Sequence, residues 1–153
     1  MAENIYTVEL LRTTKGRILG VDFGDTRTGL AISDPSRFLA SGIGTVSPGG
    51  IEKTAKKVAE IAHEQRATSV VVGLPRNMDG SEGFRAERCL EFAELLRAEL
   101  PDATVVMIDE RLTTVSASRY LNETNTRGTK RRGVIDTLSA EIILQNALDR
   151  LKN

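Results

Sequence analysis

A chain of 153 residues, 40% hydrophobic and 27% charged, has ordinary globular values and is long enough for one domain with a proper core. Its 21 basic and 21 acidic residues cancel, which argues against a broadly positive surface that coats nucleic acid, so any such binding must come from a local patch. The lone Cys89 excludes an intrachain disulfide framework, and the lack of Trp with few other aromatics argues against a stacking platform for single strands. No apolar run approaches the roughly 20 residues of a membrane helix.

Residues 1–16, MAENIYTVELLRTTKG, carry Glu3 and Glu9 and no long apolar centre, so no signal peptide is expected and the chain reads as soluble and cytoplasmic. They are read as an N-terminal extension with one apolar cluster, Val8, Leu10 and Leu11, ahead of a domain over 17–153. From Arg17 to Ser33, RILGVDFGDTRTGLAIS predicts an apolar strand ending near Asp22, a turn at Gly24-Asp25, and a second strand through Leu30, Ala31 and Ile32. A carboxylate in a core strand is costly unless it is hydrogen-bonded, paired or bound to a metal. Taken alone, the stretch fits equally well an ordinary hairpin in which Asp22 binds turn backbone. Asp34-Pro35-Ser36 is a turn, and Phe38 to Val46 reads as a third strand weakened by Gly42 and Gly44.

Beyond Pro48-Gly49-Gly50, the spacing of Ile51, Ala55, Val58, Ala59 and Ala62 predicts a helix over 51–65. SVVVG, Ser69 to Gly73, is a buried and parallel strand, followed by a loop through Met78, Asp79 and Gly80. A second helix is expected from about Gly83 to Leu100, with Cys89, Phe92, Ala93 and Leu96 on one face. TVVMI, Thr104 to Ile108, is another buried strand, ending on Asp109-Glu110-Arg111. Val115 to Leu121 suggests a short helix, and Asn122 to Gly133 a polar loop bearing Arg127, Lys130, Arg131 and Arg132. A final helix begins near Val134 and runs to Leu151. The order predicts an α/β fold: a mixed five-stranded sheet, an antiparallel three-strand meander plus two parallel strands, flanked by helices.

Three acids stand where a plain core does not want them: Asp22 late in the first strand, Glu110 after the last strand, and Asp136 in the first turn of the last helix. Sites in open α/β sheets form beyond the carboxyl ends of parallel strands, where Asp22 and Glu110 would meet and a crossing helix could add Asp136. Clustered carboxylates call for a cation, and all-oxygen ligation suits Mg²⁺ or Mn²⁺. With a basic loop beside it, the set has the makings of a metal-dependent phosphodiesterase. Each part also has a plainer reading. A helix dipole favours Asp136 at a helix start, Glu110 could form a surface ion pair with Arg111 or Arg27, and the basic loop could be merely solvated. His63 sits on a polar helix face, and Phe84 flanks a loop as either core or lid.

Four motifs, DFGDTRTGLAISD (Asp22 to Asp34), GLPRNMDGSEG (Gly73 to Gly83), DERLTT (Asp109 to Thr114) and KRRGVIDTLSAEIILQNAL (Lys130 to Leu148), together resemble the YqgF/RuvX family. They occur in the family's order and cover nearly the whole chain beyond residue 16; Ser139-Ala140, where the family more often has two alanines, is a departure. The resemblance implies an RNase H-like fold of the Holliday-junction-resolvase kind. It also implies a nuclease whose bacterial members are linked to maturing the 5′ end of 16S ribosomal RNA. The family's acidic, metal-holding site maps onto Asp22, Glu110 and Asp136, and the implied chemistry is two-metal hydrolysis with Mg²⁺ or Mn²⁺. Lys130, Arg131 and Arg132 would hold substrate phosphates, with Arg27 and Arg111 as further contacts.

The expected partner is precursor 16S rRNA, with ribosomal particles as a further candidate, no membrane, and a monomer or homodimer. A resolvase of branched DNA is the alternative, and it needs a dimer to nick two strands symmetrically. Asp22 to Thr26 also partly imitates the phosphate-binding turn of sugar-kinase and actin-like ATPases, but those bind nucleotide between two such subdomains. A non-catalytic RNA-binding accessory is the remaining alternative, and it gains nothing from three clustered acids.

Overall fold

The computed structural model describes residues 7–75, 83–110 and 129–152, with the backbone alone for 129–135. Five strands, β1 (Arg17–Asp22), β2 (Thr28–Ser33), β3 (Ala40–Val46), β4 (Ala67–Leu74) and β5 (Thr104–Asp109), form one sheet in the order β3-β2-β1-β4-β5. The short links after β1 and β2 turn the chain back on itself, so β1, β2 and β3 pair antiparallel. Helices α1 (Ile51–Glu64) and α2 (Phe84–Glu99) are the longer connections that return the chain to lay β4 parallel to β1 and β5 parallel to β4. This is the mixed meander-plus-parallel sheet that the sequence predicts.

The sheet separates two cores, and the alternation of side chains along each strand decides which residue enters which. Leu19, Val21 and Phe23, with Val70, Val72, Val105 and Met107, meet α1 and α2 on one face, where Phe23 stacks on Phe92 at 4.5 Å between ring centroids. Ile18, Ala31, Val71, Val106 and Ile108 meet α3 (Thr129–Leu151) on the other. Helix α3 crosses β1, β2 and β3, closing the second core with Ala140, Ile143, Leu144 and Leu148. Cys89 is buried on α2 and His63 exposed on α1, as their helical faces predict.

Two boundaries differ from the sequence reading. The third strand starts at Ala40, not Phe38, because the Asp34 carboxylate accepts the amides of Phe38 (2.7 Å) and Leu39 (2.9 Å) and holds both residues in the turn. The last helix starts at Thr129, so Lys130, Arg131 and Arg132 stand in its first turn and not in a loop. Gly133 inside a helix costs only about 1 kcal/mol, which a helix of 23 residues packed on a sheet offsets. The expected helix at Val115–Leu121, and the polar segment as far as residue 128, lie outside the described residues.

Before β1, residues Val8–Thr13 form a 3₁₀ helix that puts Val8 and Leu11 into the α3-side core. Its Arg12 donates to the carbonyls of Leu151 (2.8 Å) and Arg150 (3.0 Å), a cation on the C-terminal end of α3. Arg37, held in the left-handed region at φ 64°, donates to Gly16 O (2.7 Å), Leu11 O (2.7 Å) and Thr14 Oγ1 (2.8 Å). One guanidinium thus fastens the 3₁₀ segment to the β2–β3 turn.

Arg37→Ala removes three charge-assisted hydrogen bonds and should lower stability by about 2 kcal/mol in urea denaturation, with little recovered by Lys. In the same turn, the Leu39 amide, the Ser36 hydroxyl and the Phe38 amide hold the Asp34 carboxyl down to about 2. Because this value lies below the ordinary one, the contribution of Asp34 to stability is complete above about pH 4 and is lost as pH falls through about 2. A carboxyl-carbon NMR titration of Asp34 with its midpoint near 4 would contradict the turn geometry.

Candidate functional site

The parallel strands β1, β4 and β5 end at one edge of the sheet, where open α/β sheets place their sites. Asp22 is the last residue of β1, and Glu110 directly follows β5. Alternation carries Asp22 onto the α3 side with Ile18, and Glu110 onto the same side with Val106 and Ile108. Both carboxylates are buried, Asp22 at 6% and Glu110 at 1% exposure.

Two glycines let the acids converge. Across the antiparallel pair, Asp22 faces Gly29, and a Cβ there would collide with the backbone carbonyl of Asp136 on α3. On the other side, the register that matches Val21 with Val72 brings Asp22 beside Gly73. A Cβ on Gly73 would stand 2.5 Å from Glu110 Oε1 and 2.6 Å from Ile143 Cδ1. Asp22 is therefore flanked by one strand position covered by Asp136 and another covered by the Glu110 carboxylate, each about 5 Å away.

Asp136 lies two turns into α3, beyond the reach of the helix dipole at the first turn, so its place is set by packing on Gly29. Its carboxylate accepts from Arg27 Nε at 2.9 Å, an ion pair in which both side chains are mostly covered. Among the described residues, no three His, Cys, Asp or Glu side chains are gathered closely enough to hold a metal ion. Asp22 and Glu110 supply two converging carboxylates with oxygen donors alone, a set that fits a hard divalent cation, while the Asp136 carboxylate is engaged by Arg27.

A cleft of about 270 Å³ opens beside Asp136, lined also by Asp25, Thr26, Arg27, Arg85 and Arg88. Nothing in the sequence singles out Arg85 and Arg88, which look there like any charges on the polar side of a helix. The approach of the first turns of α2 to the β1–β2 connection gives them their place, and Arg88 Nη2 reaches Asp25 Oδ1 at 3.1 Å. Arg111 lies outside the described residues, as do the side chains of Lys130, Arg131 and Arg132.

Among solved structures, the Thermus thermophilus RuvC bound to a Holliday junction substrate overlays with a TM-score of 0.54, covering 90% of this chain and 97% of that one at 14% identity. That likeness concerns the fold. A mixed sheet of this topology flanked by helices places the chain in the RNase H-like fold class. The particular family follows from sequence: the model described as "RuvX: Holliday junction resolvase" matches residues 16–150, and the chain belongs to that family. A relative from Ruminiclostridium cellulolyticum is 43% identical over 136 residues, 88% of this chain and 95% of its own. Another, from Caldanaerobacter subterraneus subsp. tengcongensis, is 47% identical over 139 residues, 90% of this chain and 99% of its own. Both carry the name "Putative pre-16S rRNA nuclease". Among the described residues, no helix is long and apolar enough to cross a membrane.

Gly73→Ala puts a methyl group into space held by Glu110 and Ile143, and should cost about 1–3 kcal/mol in thermal or urea denaturation. Wild-type stability in this variant would show that the Glu110 carboxylate does not rest on Gly73.

Proposed function

We propose that this chain is a metal-dependent endonuclease that takes part in maturing the 5′ end of precursor 16S rRNA in the cytoplasm, with precursor ribosomal particles as its setting. The observation that carries the reading is the burial of Asp22 and Glu110 on one face, at the ends of parallel strands, with Gly73 left bare beneath the Glu110 carboxylate. The RNA substrate is supported by relatives of that name that match nearly end to end.

In this reading Asp22, Glu110 and Asp136 are the catalytic and metal-holding residues, the ion being Mg²⁺ or Mn²⁺. A bound divalent cation supplies water activation and neutralises charge on the leaving oxygen. The chain's own groups do the rest. Asp22 and Glu110 present oxygen donors from rigid strand ends, and Arg27 orients the Asp136 carboxylate through its 2.9 Å contact. Arg27 and Arg111 contact the scissile phosphate, and Lys130, Arg131 and Arg132, in the first turn of α3, bind neighbouring phosphates. The family description keeps a second reading in view, resolution of four-way DNA junctions, which requires two copies acting together.

Cleavage of a labelled precursor 16S RNA fragment and of a four-way DNA junction, with Mg²⁺ or Mn²⁺, tests both readings. RNA cleavage should vanish with a chelator and fall at least about 100-fold in Asp22→Asn, Glu110→Gln and Asp136→Asn. Paired, symmetric nicks in the junction would move the assignment to the resolvase. An Asp22→Asn variant as active as wild type, or no cleavage of either substrate, would overturn the site. Replacing Lys130, Arg131 and Arg132 by Ala should weaken RNA binding and flatten its salt dependence, by about 1 in logarithmic slope for each phosphate no longer neutralised.

A further inference from the structure

We propose that the larger cleft beside the site is a subsite for one unpaired nucleobase of the substrate strand, with Phe84 as its stacking wall; this rests on the nuclease reading above. The cleft has a volume of about 560 Å³, within the range of small-molecule sites, and it shares Phe23, Asp25 and Arg88 with the cleft at Asp136. The two are therefore neighbours across a common wall. Arg88 stiffens that wall by donating to Asp25 Oδ1 from Nε (3.2 Å) and Nη2 (3.1 Å), and to Glu91 Oε1 from Nη1 (3.3 Å).

Charge divides the two clefts. The one at Asp136 carries Arg27 and Arg85, which suit a phosphate. The larger one carries Glu87 and Glu91, which repel a phosphate and accept hydrogen bonds from the exocyclic amino groups of cytosine, adenine or guanine. Phe84 lines this cleft at 73% exposure, a large aromatic face left in water where a base could cover it. A strand whose phosphate lies against the arginines can turn one adjacent base across the Arg88 wall and onto Phe84. A base within a duplex has both faces stacked and its Watson–Crick edge paired, so it cannot lie on Phe84, and the subsite selects a single-stranded nucleotide next to the cleaved bond.

The test uses the full chain as Asp22→Asn, so that binding is read without cleavage. The probes are a single-stranded RNA hexamer of cytidines with one central 2-aminopurine, and an abasic hexamer of the same backbone. The base-bearing probe should bind about tenfold tighter, and its fluorescence should change on binding as the base leaves its neighbours. Adding Phe84→Ala should bring the ratio to within about twofold and remove that change. Phe38→Ala, an exposed aromatic at the far β2–β3 turn, should keep both signals. Equal affinities for the two probes, or a ratio unchanged by Phe84→Ala, would overturn the subsite. The cleavage assay separates the two readings: base-dependent binding by a wild type that cuts nothing sinks the nuclease and supports the subsite, whereas cutting with no base dependence in binding does the reverse.

Discussion

The register between β1 and its two neighbours is the constraint on which the rest depends. It sets Gly29 on one side of Asp22 and Gly73 on the other, and the missing side chains at these positions leave room for Asp136 and Glu110. A one-residue slip in either pairing would turn every side chain of that strand to the opposite face. Asp22 would then face the α1–α2 core, among Val70, Val72 and Phe92, where a carboxylate has no place. The hydrophobic alternation that packs the two cores is thus the same pattern that positions the acids, so stability and site geometry share one determinant.

The chain invests in keeping α3 where the acids need it. Ala140, Ile143, Leu144 and Leu148 press the helix onto the sheet, and Gln145 and Glu141 reach the amides of Ala40 (2.9 Å) and Gly42 (2.8 Å) at the start of β3. Arg12 closes the far end by capping carbonyls of the last turn, and Arg37 holds the segment that carries Arg12. These contacts lie remote from Asp136, yet they determine how closely its carbonyl rests on Gly29. A helix packed along its length from Ala140 and capped at its last turn gives Asp136 a firm base, which is what a site built from several separate elements requires.

Around the acids, the electrostatics are graded. Arg27 meets Asp136 directly, Arg88 ties Asp25 to Glu91, and the clefts on either side of Arg88 are basic toward the acids and acidic away from them. A nucleic acid alternates anionic phosphates with neutral bases bearing donors and acceptors, and the proposed phosphate and base positions follow that contrast of charge. With no net charge on the chain, recognition falls to such local contrasts and not to a long-range field.

Much of this protein was legible in its sequence. The apolar runs and their breaks determine five strands in the right order and the helices that join them, because period-two and period-3.6 patterns are local consequences of burial. Asp22 and Glu110 stood out because a carboxylate in or just past a core strand is costly. Other features depended on contacts between residues far apart in the chain. The start of α3 at Thr129 overrode Gly133, since packing along a long helix outweighs one unfavourable residue. Val8 and Leu11 enter a core whose other members follow much later in the chain, so a short apolar cluster near residue 10 could not declare its destination. Arg85 and Arg88 look like solvated charges until α2 is set beside the β1–β2 connection, and the ion pair of Arg27 with Asp136 joins residues 109 positions apart. Local pattern determines which elements form and which face of each is buried; only the tertiary structure decides which ends meet, because that depends on register and on the absence of a side chain at Gly29 and Gly73.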